Sequence, residues 1–358
     1  MRHLLLSAML VVAAIFGSGG VVGATDDAAD LAQNSCSFPF SKTDATGTEV
    51  TVKEEPRRIV TLSPSAAQTM WEIGGKEKVV GVTKYAMYLD GASAKVNVSG
   101  AGMTTVVPEK VVAQNPDLVL APNIIPDQTV QKLRDAGLTV YKFRESKSIE
   151  DIYAKTKLTG QLTGECRGAT ETVSWMKDRV STVRKAVEGE DRPKVLYVMG
   201  GGFTAGNGTF VNTIIRTAGG TNVAAEAGIE GYKQVSNEVV VQRQPEWFVL
   251  SGGMQVPDAY GETPAAKRNN TVSLNSNYVN QPAPRIVYPI ATLAKKLHPE
   301  AYAEANATST TTETTAAAET NAGKTTTTTA TGSGGQPGFG TSAALAALAL
   351  VALLARRE

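Results

Sequence analysis

Residues 108–121 read PEKVVAQNPDLVLA, and residues 237–251 read NEVVVQRQPEWFVLS. One grammar serves both: a glutamate, six residues, a proline, an acid and an apolar run. Glu109 leads to Pro116 and Asp117, and Glu238 leads to Pro245 and Glu246. In each copy the glutamate falls at the start of a short helical pattern and the apolar run reads as a strand. A carboxylate at a helix start favours the positive end of the helix dipole, worth well under ~1 kcal/mol when exposed. Two helix-start acids are therefore the plain reading of the pair. Their matching places keep a shared role as the alternative.

Around the first copy, strand-like runs alternate with helical patterns. RIVTL (58–62) precedes SPSAAQTMWEIGG (63–75), a helix opened by Ser63 and Pro64 and closed by glycines. KVVGVT, DLVLA and LTVYKF read as strands, PDQTVQKLRDAG reads as a helix, and Ser148 to Asp151 opens another. From Glu165 to Glu188 the chain predicts one unbroken helix, with Val173, Met176, Val180, Val183 and Val187 on one stripe. Beyond it a second set begins: strand KVLYVM, glycine-rich loop GGGFTAGNG, helix TFVNTIIRTAGG, strand NVAAE, strand TVSLNS and a last helix APRIVYPIATLAKKLHP. The alternation predicts an α/β fold with largely parallel sheets: two α/β lobes joined by a single long helix. The expected divisions are a 56–163 lobe, a 164–190 linking helix and a 191–303 lobe, after a 25–55 polar lead-in.

Both ends carry other signals. Arg2 and His3, the apolar Leu4 to Phe16 and the small residues Val22-Gly23-Ala24 read as a secretory signal over 1–24. Residues 304–336 are threonine-rich and too polar to bury a core, which suits a stalk. Residues 337–358 pair a Pro-Gly-Phe start with an apolar run, Ala343 to Ala355, and Arg356-Arg357. That run is short for a bilayer. It resembles the archaeal PGF-CTERM sorting signals, in which the tail is removed and a lipid anchors the chain. A retained membrane helix is the alternative. Either reading puts the globular part outside the cell, held to the membrane through its C-terminus.

The chain has 35 basic and 34 acidic residues, so no net field gathers nucleic acid, and no nucleic-acid partner is expected. Cys36 and Cys166 are the two cysteines, and in an exported chain an even pair suggests a disulfide. Lipidation of Cys36 is the rival. Asn97, Asn207, Asn269 and Asn306 begin glycosylation sequons.

Enzyme chemistry finds little support. The histidines are His3, within the signal, and His298, at the end of the last helix. A Ser-His-Asp or Cys-His set has one candidate base, His298, in a poor place, and a histidine-rich metal site is absent, so neither a metal site nor a cofactor is expected. Gly200-x-Gly202-x-x-Ala205 with Glu226 matches a dinucleotide fingerprint loosely. A glycine loop that lets backbone approach some other ligand is the competing reading.

PRRIVTLSPSAAQTMWEIG, KVVGVTKYAMYLD, PEKVVAQNPDLVLA, GGTNVAAEAGIEGYKQVSNEVVVQRQPEWFVL and NQPAPRIVYPIATLAKKLHP, in that order over about 56–300, resemble the class III substrate-binding proteins of ABC importers. These bind cobalamin, ferric siderophores and haem. The resemblance implies a class III periplasmic-binding-protein fold and a small-molecule ligand between the lobes, a corrinoid first and a ferric siderophore second. It implies that Glu109 and Glu238 dock on arginines of an importer's permease dimer. Tyr85, Tyr88, Phe203, Thr204, Tyr232, Tyr278 and Arg285 become the candidate ligand contacts. The aromatics would stack on a planar or macrocyclic ligand, and Arg285 would meet a carboxylate or phosphate. A secreted α/β enzyme and a structural surface glycoprotein are the alternatives from other classes.

Overall fold

A computed structural model describes residues 36–102 and 105–307. The expected signal, the threonine-rich stretch beyond 307 and the C-terminal segment lie outside the described residues. Strands β1 (Phe40–Thr43) and β2 (Glu49–Val52) form an antiparallel hairpin. Then come β3 (Ile59–Thr61), α1 (Pro64–Glu72), β4 (Val79–Val82), β5 (Val96–Asn97) and α2 (Pro108–Val112). The first lobe continues with β6 (Leu118–Ala121), α3 (Asp127–Asp135), β7 (Val140–Lys142) and α4 (Ile149–Thr163). Strands β3 to β7 make one parallel sheet in the order β5-β4-β3-β6-β7. Every side chain of β3, β6 and β7 is buried, as a parallel sheet covered on both faces demands.

Local chemistry sets the helix starts. The Ser63 hydroxyl accepts the Ala66 N–H with Pro64 in the first turn of α1, and Ser148 and Asp151 form a capping box on α4. Gly164, at φ 83, turns the chain from α4 into the long helix α5 (Cys166–Ala186). Ala169 of α5 packs into the first lobe, while Val173, Met176, Val180 and Val183 join the core of the second. The helix is thus shared between both lobes.

The second lobe runs β8 (Lys194–Val198), β9 (Phe203–Ala205), α6 (Phe210–Thr217), β10 (Thr221–Asn222), α7 (Val223–Glu226), β11 (Tyr232–Gln234) and α8 (Asn237–Arg243). It closes with β12 (Trp247–Ser251), α9 (Pro264–Lys267), β13 (Thr271–Leu274), α10 (Ser276–Val279) and α11 (Val287–Leu297). Its parallel sheet has the order β10-β8-β12-β13, so β8, β12 and β13 take the places that β3, β6 and β7 hold in the first.

Four local features differ from the sequence reading. The polar lead-in contains the β1–β2 hairpin, which folds because Val50 and Val52 point inward and buried Asp44 ties its turn to the lobe. NVAAE is a short helix, because the Asn222 side chain caps it by accepting the Ala224 N–H and so overrides the strand preference of valine. The glycine-rich loop contains β9, which pairs antiparallel with β11. Helical residues 299–307 carry regular structure past the expected start of the stalk.

Candidate functional site

The sequence repeat is also a repeat of geometry. The residue before each proline is left-handed, Asn115 at φ 43 and Gln244 at φ 51. The acid after each proline pins the first strand of its lobe. Asp117 Oδ2 accepts the N–H groups of Arg57 and Arg58, both at 2.8 Å, and Glu246 Oε2 accepts the Lys194 N–H at 2.8 Å. Asp117 and Glu246 are therefore structural. Glu109 and Glu238 are the second residues of α2 and α8, are exposed, and have no side-chain hydrogen bond or ion pair among the described residues. Each helix leads into the strand beside its lobe's first strand, β6 or β12.

Ligands of open α/β sheets bind outside the carboxyl ends of the strands. Most of the exposed large apolar residues among the described residues lie at that edge, the others being Val96, Val112 and Tyr288. Tyr85 and Met87 follow β4, Ile124 follows β6, Phe203 follows β8, and Met254 follows β12; all are exposed large apolar residues. Tyr232 joins them through the β9–β11 ribbon. Phe203 pairs with Gln234 and Ala205 with Tyr232, so strand alternation puts Phe203 and Tyr232 on one face, each 41% exposed. Gly201 and Gly202, at φ 68 and 75, adopt a backbone that disfavours any side chain, and a Cβ on Gly200 would lie 3.5 Å from the Met254 sulfur. The glycine loop is thus bare backbone beside Met254. At the ends of β3 and β4, the buried Thr61 and Thr83 hydroxyls have no hydrogen-bond partner among the described residues.

The seven expected ligand contacts separate into three groups. Tyr85, Phe203 and Tyr232 are exposed at the carboxyl edges. Thr204, 1% exposed, points to the opposite face of β9 and donates its hydroxyl to the Tyr197 carbonyl at 2.7 Å. Tyr88, Tyr278 and Arg285 form a seam between the lobes. The Tyr88 and Tyr278 rings meet edge-on at 6.4 Å, and Tyr278 continues to Tyr288 and on to Trp175 of α5, each step 5.7 Å. Arg285 Nε donates to Glu72 Oε1 at 2.7 Å, and its guanidinium stands 5.7 Å from the centre of the Tyr278 ring. Glu72 is the last residue of α1, whose first turn lies at the carboxyl edge, so the guanidinium is drawn away from that edge.

Gln68 centres the seam and was missed from sequence. Fully buried in α1, it donates to the Tyr88 hydroxyl at 2.7 Å and the Asn277 carbonyl at 3.3 Å, and accepts the Arg285 N–H at 3.0 Å. Burial raises the Tyr88 pKa, so the phenol stays neutral. The helix of Gln68 buries Ser65 and Thr69 as well, so a polar residue at position 68 gave no distinctive signal in the sequence. The dinucleotide reading loses its context, because Gly200–Gly202 lead into β9 and Glu226 ends a helix. A disulfide joins Cys36 to Cys166, fixing the chain ahead of the hairpin to the first turn of α5. Among the described residues no group of three or more His, Cys, Asp or Glu is placed to hold a metal ion.

A family described as periplasmic binding protein matches residues 59–278. The chain belongs to the periplasmic binding protein family. It is 46% identical over 341 residues to a cobalamin-binding protein of Halobacterium salinarum, covering 91% of this chain and 90% of that one. The periplasmic haem-binding protein RhuT of Roseiflexus has a similar structure, with TM-score 0.62, 25% identity, and coverage of 68% of this chain and 99% of its own. The vitamin B12-binding protein BtuF of Vibrio cholerae, at TM-score 0.60 and 23% identity over 68% of this chain and 96% of its own, shows the same fold. The PGF-CTERM motif matches residues 336–358. This binding protein is therefore extracytoplasmic and anchored at the cell surface. No helix among the described residues is long and apolar enough to cross a membrane.

Proposed function

We propose that this binding protein takes up a cobalamin or related corrinoid at the carboxyl edges of its two sheets and delivers it to an ABC importer without chemical turnover. The carrying observation is the exposed apolar set there: Tyr85, Met87 and Ile124 from one lobe, Phe203, Tyr232 and Met254 from the other. Such surface suits a broad macrocycle that presents apolar ring faces. A ligand that brings its metal inside its own chelate asks for no protein metal site. The name of the 46%-identical relative supports cobalamin as the first ligand. A ferric siderophore, also a prepacked chelate, is second. In this reading Tyr88, Tyr278 and Arg285 set the spacing of the lobes, and Glu109 and Glu238 contact arginines of the permease.

Truncation at the exposed set tests the site. Burying one large side chain against a ligand is worth about 1.5–3 kcal/mol, or roughly 10- to 100-fold in affinity. Phe203→Ala and Tyr232→Ala should each weaken cyanocobalamin binding by that factor in calorimetric titration with folding intact. Unchanged affinity in both variants contradicts the assignment.

A further inference from the structure

We propose that Asn269 is a site of N-linked glycosylation, on the edge of the second lobe opposite the ligand contacts. Four sequons stand in the chain, at Asn97, Asn207, Asn269 and Asn306, and the fold treats them differently. Attachment needs two groups open together: the amide nitrogen that receives the sugar, and the hydroxyl two residues on that completes the recognised triplet.

At Asn97 the hydroxyl is closed. Ser99 is buried, its Oγ accepts the Lys84 N–H at 2.8 Å, and its own N–H donates to the Asn97 side-chain oxygen at 2.9 Å. At Asn207 both groups are engaged. The amide donates to Glu230 at 3.0 Å, and buried Thr209 donates its hydroxyl to the Gly206 carbonyl while accepting the Asn212 N–H to cap α6. The Asn306 triplet ends at Thr308, outside the described residues.

Asn269 presents both groups. Its side chain is exposed with no hydrogen-bond partner among the described residues, on a left-handed turn at φ 54 between α9 and β13. Thr271 is half-exposed, and its hydroxyl has no partner either. Between them Asn270 is anchored, its amide donating to the Glu246 carbonyl at 3.1 Å. The triplet is held at its middle and open at both ends. It lies at the amino end of β13, whereas the exposed aromatic set lies at carboxyl ends.

The donor is an oligosaccharide carried on a lipid phosphate. The Asn269 nitrogen bonds to the anomeric carbon as the carbon–oxygen bond to phosphate breaks. The phosphate departs with that electron pair, and the amide proton passes to a carboxylate base of the transferase.

The test is mass spectrometry of peptides from the full chain, purified from membranes of the cell that makes it. A sugar increment is expected on the Asn269 peptide and none on the Asn97 or Asn207 peptides. Thr271→Ala should lose it and Thr271→Ser should keep it. Asn269→Gly, suited to the left-handed backbone, should lose it while leaving cyanocobalamin affinity unchanged. Bare Asn269 in the wild type, sugar on Asn97 or Asn207 instead, or retention in Thr271→Ala overturns the proposal.

Discussion

Asp44 shows how one side chain can hold a segment with little apolar content. Fully buried, it meets Arg134 at 2.6 Å and accepts N–H groups from Thr46 and Lys142. Burial opposes its ionisation, but hydrogen bonds from Thr46, Lys142 and Arg134 outweigh that, so its pKa lies below the usual carboxylate range. Its stabilisation is present at neutral pH and is lost as pH falls through that lowered value. Asp44→Ala leaves Arg134 uncompensated and should cost about 3–5 kcal/mol, read as a lower urea midpoint at pH 7. Lys155 works in the opposite sense. Its ammonium donates to the Pro282 carbonyl across the seam with no carboxylate partner among the described residues, and burial pulls its pKa down to about 8. Between pH 8 and the unfolded value of about 10.4 the unfolded chain binds more protons, so this group makes stability rise with pH. Lys155→Met should lose that rise. Parallel urea midpoints for wild type and variant from pH 7 to 10.5 contradict it.

Among elements, the alternation of β3, α1, β4, β6, α3 and β7 was legible because each is set by nearby residues: a serine cap, a glycine stop or a run of valines. The β9–β11 ribbon was not. Its partners are separated in sequence by α6 and α7, and no local pattern announces the pairing. Adjacent Phe203 and Thr204 read alike in sequence, whereas the strand turns one outward and the other inward. Gln68 and the Arg285–Glu72 pair were likewise hidden, since each joins residues more than two hundred positions apart. The disulfide ties elements 130 positions apart. In the chain-entropy picture it stabilises by roughly 4–5 kcal/mol. The native chain should show no alkylatable thiol, and Cys36→Ser with Cys166→Ser should lower the urea midpoint accordingly. Two reactive thiols without reductant contradict the pairing.

For the whole molecule, the repeat places one exposed glutamate at the same topological point of each lobe. A two-lobed protein with matching charges suits a two-fold permease. Glu109→Lys with Glu238→Lys should abolish uptake in transporting cells while ligand affinity and urea midpoint stay near wild type. Losing a partner from a desolvated charge pair costs roughly 2–5 kcal/mol, and reversal adds repulsion. Normal uptake would leave the glutamates as helix-start acids alone. Capture of the ligand precedes any delivery. The most direct measurement is calorimetric titration of the purified wild-type protein with cyanocobalamin, a ferric siderophore and haem. Saturable one-to-one binding of cyanocobalamin, tighter than that of the other two, is the predicted result. Absence of saturable binding by all three chelates would contradict the account.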